Sequence, residues 1–211
     1  MKIIWHGHSC FEVRDDLTVV MDPHDGKSIG IKPPTVKADV CLLSHDHFDH
    51  NCARIVRGDP TVVREAGERV VKGLSIFGIP TFHDTEGGAK RGRNIVYRFE
   101  LDGIRFAHCG DLGHELDAEQ LRALGPIDIL FIPVGGVFTI DSAAARRLVA
   151  AIRPRVAIPM HFRFGGLSVT IDTVEPFLDG IPEESVLRVG NEIEFAREEL
   201  PPQLEYWVFS P

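Results

Sequence analysis

The chain has 211 residues, 44% hydrophobic and 26% charged, which suits a soluble globular protein with one sizeable core and is short for two independent ones. Its formal charge of −8 opposes the phosphate neutralisation on which nucleic-acid binders rely, and this disfavours a long RNA or DNA partner. No apolar run approaches the roughly 18 uncharged residues of a membrane span, and residues 1–6 read as a first strand and not as a signal peptide, so one cytoplasmic domain over residues 1–211 is expected.

Residues 2–5, 10–14 and 17–21 are short β-rich runs separated by Gly7 and by a turn at Asp15-Asp16, which predicts an opening antiparallel meander. His6 and His8 flank Gly7 and either could line a pocket mouth, with the alternative for His8 that it orients a neighbouring ligand or serves structure alone. Asp22-Pro23-His24-Asp25-Gly26 leaves the third run as a turn, with His24 expected in solvent. After a proline-stiffened connection at 31–36, the apolar run 38–43 reads as a strand leading into Ser44-His45-Asp46-His47-Phe48-Asp49-His50.

That segment holds three imidazoles and two carboxylates. On an extended chain, residues two apart point the same way, so His45 and His47 converge on one ion. Asp49 and His50 are neighbours and share a site only if the chain turns there, for instance into a short helix at 52–56 that starts at Asp49. They then face a second position. Imidazole and carboxylate suit divalent transition-metal ions, and no cysteine inside the cluster argues for a thiolate site. Cys10, Cys41, Cys52 and Cys109 are scattered and read as reduced core thiols.

Residues 61–64 and 70–79 read as strands leading to His83. The loop 85–94 then breaks periodicity, with Lys90, Arg91 and Arg93 among Gly87, Gly88 and Gly92. It is expected to be flexible and, together with Arg163, to contact an anionic substrate. Residues 94–101 and 104–108 flank Asp102-Gly103, a hairpin signal that delivers Asp111. A helix over 117–124 stops at Gly125-Pro126, 127–134 is a buried strand, and Asp141 opens a helix reaching 152. Strand 156–160 leads to His161, a short helix covers 173–178, and 193–196 and 205–209 are closing strands.

His45-x-His47-x-Asp49-His50 after an apolar strand resembles the signature of the metallo-β-lactamase fold superfamily. Members carry an Asp after an early strand, a third His, a bridging Asp and a final His, places filled in order by Asp22, His83, Asp111 and His161. The similarity runs from Met1 to about His161. The phrases Trp5-His-Gly-His-Ser-Cys10, Ile132-Pro-Val-Gly-Gly136 and Ile158-Pro-Met-His161 are similar to a branch of small metal-dependent hydrolases that includes L-ascorbate-6-phosphate lactonase.

The resemblance implies an α+β, four-layer αββα sandwich. His45, His47 and His83 would hold one metal, Asp49, His50 and His161 the other, with Asp111 bridging them, Asp22 supporting from outside, and Asp49, His50 and Asp111 as the catalytic residues. Two divalent ions, zinc first and manganese or iron as alternatives, would share a hydroxide that hydrolyses a small anionic ester, lactone or phosphoester. A non-catalytic metal sensor and an oxygen-reductase-like di-iron protein share the fold, but the latter usually has Glu where this chain has His47. The expected partner is a small molecule, with no nucleic acid or membrane, and homo-oligomerisation stays open.

Overall fold

A computed structural model describes residues 1–211. The opening runs form β1 (Lys2–Trp5), β2 (Phe11–Arg14) and β3 (Thr18–Met21) as an antiparallel meander, followed by β4 (Val40–Leu42) and β5 (Thr61–Val63), which run parallel to β3. Next come β6 (Gly67–Val71), β7 (Leu74–Phe82), β8 (Arg93–Leu101) and β9 (Ile104–His108). Helix α1 (Ala118–Leu124), β10 (Ile129–Pro133), helix α2 (Ser142–Ile152), β11 (Val156–Met160) and helix α3 (Glu175–Leu178) alternate after them. The chain closes with β12 (Val186–Arg188), β13 (Glu192–Glu194) and β14 (Glu205–Val208).

These strands make two mixed sheets, β13-β1-β2-β3-β4-β5 and β12-β14-β11-β10-β9-β8-β7-β6. The closing strands divide: β13 pairs with β1, whereas β12 and β14 extend the second sheet beside β11. Alternation along β1 to β4 turns Ile3, Trp5, Phe11, Val19, Met21, Val40 and Leu42 toward the second sheet, into the main core. Phe11 carries that contact, its ring centroid lying 4.6 Å from Phe131 of β10 and 5.6 Å from Phe209.

The architecture is the α+β sandwich, but its outer layers are unequal. All three α-helices belong to the second sheet's side, α1 against β7, α2 against β10 and α3 against α2. Val20 and Cys41 on the outer face of the first sheet are covered by Val36, Ala38, Ile55 and Val56, from loops with one 3₁₀ turn at Ala53–Ile55. Pro23, Gly26, Gly30, Pro33, Pro34, Gly58 and Pro60 punctuate these segments, and such residues break helices. The helix expected to start at Asp49 is therefore only a turn, in which the amides of His50 and Asn51 bond the His47 carbonyl, followed by that 3₁₀ turn.

The strand expected over 70–79 is a hairpin instead. Lys72 (φ 51°) and Gly73 (φ 86°) turn the chain between β6 and β7 in left-handed conformations, which favours a glycine at the second position. The Asp102-Gly103 hairpin between β8 and β9 forms as expected, with φ of 49° and 67°. Asp117 and Asp141 cap α1 and α2. All four cysteines are free and buried, and burial pushes the Cys109 thiol up to about 12, in keeping with its packing role.

Replacing Phe11 by Ala removes the ring that joins the sheets and is expected to lower stability by about 3–5 kcal/mol. Urea unfolding at an unchanged m-value measures this, and a loss under about 1 kcal/mol would show that the sheets are held elsewhere.

Candidate metal centre

Five strands of the two sheets deliver the cluster: Asp22, His83 and His161 directly follow β3, β7 and β11, and β4 leads into the segment 44–50. Asp111 follows β9 by three residues. Asp22 (φ 45°), Gly110 (φ 55°) and His161 (φ 52°) are left-handed and turn the chain sharply at these ends. Gly110 has no room for a side chain, since a Cβ there would lie 2.4 Å from both Asn94 Oδ1 and Ser44 Cβ.

Asp111 sits at the centre. Its Oδ2 lies 3.1 Å from His83 Nε2, 3.2 Å from His161 Nε2, 3.3 Å from His50 Nε2 and 3.8 Å from His45 Nε2. His45, His47 and His83 form one group, with ring centroids 4.7–4.9 Å apart. Asp49, His50 and His161 form a second group together with His8, and their donor atoms all lie within 4.8 Å of one another. All seven residues expected as ligands meet here.

Asp22 works from behind. Its Oδ1 accepts from the Ser44 amide at 2.7 Å, and its Oδ2 lies 2.6 Å from the Ser44 hydroxyl and 3.0 Å from His50 Nδ1. This leaves His50 Nε2 facing Asp111. The Ser44 hydroxyl lies 2.8 Å from His45 Nδ1 as well, so His45 also presents Nε2. Asn94 Oδ1 accepts from the Asp111 amide at 2.9 Å, while its Nδ2 donates to Thr81 Oγ1 and to the Cys109 carbonyl. Sequence reasoning missed Ser44 and Asn94; Ser44's place directly before His45 was the one signal available.

The electrostatics favour a cation. Burial alone would raise the Asp111 carboxyl, but His161 and His50 beside it hold it well below the usual carboxylate range. Burial opposes charge on His50, yet Asp111, Asp22 and Asp49 raise it well above an ordinary imidazole. Burial also pushes His45 down to about 3, so it stays neutral with a lone pair to offer. His45 Nε2, His50 Nε2 and Asp111 Oδ1 are buried without a hydrogen-bond partner. Buried polar atoms are rarely left so, and a divalent ion among these imidazoles and carboxylates, displacing any proton held by His50, would satisfy them.

Beside the cluster lies a cavity of about 860 Å³, lined by His45 and His47 and by Arg64, Arg91 and Arg93. Arg91 and Arg93 fall where the basic loop was expected to contact substrate, whereas Lys90 and Arg163 do not line the cavity. Lys90 pairs with Glu86, and Arg163 is exposed, its amide bonded to the Asp172 carbonyl. Arg64, just past β5, joins the wall from the other sheet, which no local pattern signals.

Two further expectations fail. The basic loop is folded around Asp84, whose carboxylate accepts from the amides of Glu86, Gly88, Lys90 and Arg91 at 2.7–2.9 Å. Burial would raise that carboxyl, but the four donors, led by Arg91, bring it down to about 2. Arg91 is steadied further, its guanidinium 5.1 Å from the Phe138 ring. His24 is not solvated: the turn folds under β1, where His24 is fully buried with Nε2 3.1 Å from the His6 carbonyl.

Two mixed sheets with a histidine–aspartate cluster at their strand ends define the metallo-β-lactamase fold class. The family model described as a beta-lactamase superfamily domain matches residues 2–161. A UPF0173 metal-dependent hydrolase of Bacillus licheniformis is 30% identical over 92% of this chain and 100% of its own. Another from Thermoplasma acidophilum is 29% identical over 82% of this chain and 93% of its own. A solved structure from Thermotoga maritima, described as a candidate Zn-dependent hydrolase of the metallo-β-lactamase superfamily, is 37% identical with a TM-score of 0.83, covering 99% of this chain and 98% of that one. The chain belongs to the β-lactamase superfamily and, within it, to the UPF0173 metal-dependent hydrolases.

Asp84→Ala is expected to speed amide hydrogen exchange at Glu86, Gly88, Lys90 and Arg91 while leaving metal content unchanged. Unaltered protection of those four amides would mean that the loop is ordered by other contacts.

Proposed function

We propose that this protein is a binuclear metal-dependent hydrolase of a small anionic ester, lactone or phosphoester. His45, His47 and His83 would hold one divalent ion and Asp49, His50 and His161 the other, with Asp111 shared. Zinc suits this donor set, as do manganese and iron. The observation that carries the reading is the single carboxylate oxygen of Asp111 within 3.1–3.8 Å of four imidazole nitrogens drawn from both groups. When bound, such ions supply a hydroxide near neutral pH and polarise the bond under attack.

The chain's own residues do the rest. Asp22 and Ser44 fix which nitrogen His50 and His45 present. Arg64, Arg91 and Arg93 offer guanidinium donors to an anion beside His45 and His47. The acidic residues of that wall are engaged elsewhere, Glu65 with Arg69 and Asp46 with Asn51. This supports an anionic substrate over a cationic one. Four free thiols fit a reducing compartment such as the cytoplasm, and no helix is long and apolar enough to cross a membrane.

Elemental analysis is expected to find about two metal ions per chain, with loss of metal in His45→Ala and Asp111→Ala; a metal-free protein after reconstitution would refute the reading. A screen of sugar-phosphate lactones, phosphodiesters, thioesters and β-lactams then identifies the reacting bond. On the substrate found, Arg93→Ala is expected to raise KM about tenfold with kcat little changed, the loss of one charge-assisted contact. An unchanged KM in Arg64, Arg91 and Arg93 variants alike would show that these arginines only face solvent and do not contact substrate.

A further inference from the structure

The two groups of donors differ in what surrounds them. His45 and His47 line the large cavity, so their group is open on one side. His8, His50 and His161 are buried and none of them lines that cavity. The second group is the more enclosed, since Asp49 alone of its members is part-exposed and it too stays off the cavity, and it contains one imidazole more than the expected ligand set.

That extra ring is aimed by its backbone. His8 is a non-glycine residue at φ 55°, a conformation that persists only where its surroundings fix it. Its carbonyl accepts from Trp5 Nε1 at 3.0 Å and from the His161 amide at 3.4 Å. Gly7 before it, at φ 95°, is pressed so closely that a Cβ would lie 2.7 Å from Ile31 Cδ1. The His8 ring is thereby held 4.3 Å from His161 and 4.9 Å from His50, centroid to centroid.

Ligands bound at about 2.0–2.2 Å around one ion stand roughly 3–3.5 Å apart. His8 Nε2 to Asp49 Oδ2 is 3.1 Å and His50 Nε2 to Asp49 Oδ2 is 3.5 Å. The Asp111 contacts of His50 and His161, 3.3 and 3.2 Å, fall in the same interval. The 3.1 Å contact taken alone suits a hydrogen bond to Asp49 equally well. Such a bond does not call for three buried imidazoles converging without a hydrogen bond between them; a common ion does.

We infer that His8 is a donor to the second metal position, where it joins Asp49, His50, His161 and the shared Asp111 in an enclosed site that fills before the open one. The inference rests on the metal-centre reading above. Enclosed sites hold their ion, whereas a site with an open face leaves room for substrate, so the ion at His45, His47 and His83 would be the more exchangeable one and the one that meets substrate.

The test is a cobalt(II) titration of the full-length apoprotein followed by proton NMR. At one equivalent, wild type is expected to show three hyperfine-shifted exchangeable imidazole protons, from His8, His50 and His161, with one missing in His8→Gln. In both His8→Ala and His8→Gln the first binding step is expected to weaken by more than the 10–100-fold typical of losing a group outside the coordination sphere, with the second step unchanged as an internal control. Two shifted protons in wild type, or wild-type affinity in His8→Gln, whose amide can still bond Asp49, would reduce His8 to an orienting role and overturn the inference. First filling of the open site would overturn the order of loading. Failure of wild type to bind cobalt at all would instead refute the metal centre itself.

Discussion

A carboxylate buried among imidazoles is the constraint on which the rest of this molecule depends. Taking an ionised group such as Asp111 out of water is expensive unless it is surrounded by partners. The protein gives it four Nε2 atoms and then fixes its backbone, through Asn94 of β8, to Thr81 of β7 and to the Cys109 carbonyl just past β9. Those imidazoles cannot all be protonated in so dry a place, and burial indeed holds His45 neutral. What remains is a set of carboxylates at Asp22, Asp49 and Asp111 around imidazoles of which His45 keeps its lone pair and His50 is pushed towards its charged form, an arrangement that suits a bound cation.

Holding that arrangement dictates the strand ends. Left-handed residues at Asp22, Gly110 and His161 bend the chain at three strand ends just as they reach the cluster, and His8 adds a fourth. Three of these four are not glycine, so the fold carries local strain at the site and offsets it in the core that both sheets share. Phe11, packed at a tilt against Phe131 and edge-on to Phe209, ties the meander that bears His8 and Asp22 to the sheet that bears Asp111 and His161.

The features legible in the sequence were those with a local cause. Alternation predicts that His45 and His47 face one way, Asp102-Gly103 announces its hairpin, and Asp117 and Asp141 announce their helices. The third, bridging and final ligands were reached through family resemblance, and no local periodicity gives them. What escaped was decided by distant contacts. Nothing near Asp84 says that its carboxylate will gather four amides and order a glycine-rich basic loop, and nothing near His24 says that its turn folds under β1. Lys72-Gly73 did carry a signal, but one submerged in apolar neighbours that read as a continuous strand. The missing α-helices over the first sheet follow from prolines and glycines that the sequence displays plainly, yet only the covering of Val20 and Cys41 shows what replaces them.

The charge of the whole and the charge of the cavity pull in opposite directions, and that opposition bears on what could enter. A chain of formal charge −8 repels polyanions at long range. Screening limits that field to about 8–10 Å at physiological salt, so a small anion that has reached the cavity mouth responds chiefly to Arg64, Arg91 and Arg93. A long polyanion would keep most of its charge outside, against the acidic surface, and gain few of those contacts. Under the proposed reading, discrimination by size follows from charge placement alone. Because Arg91 and Arg93 stand on the side of His45 and His47, the anionic end of a substrate and the reacting bond would be set across the open half of the cluster, while the enclosed half holds its place behind them.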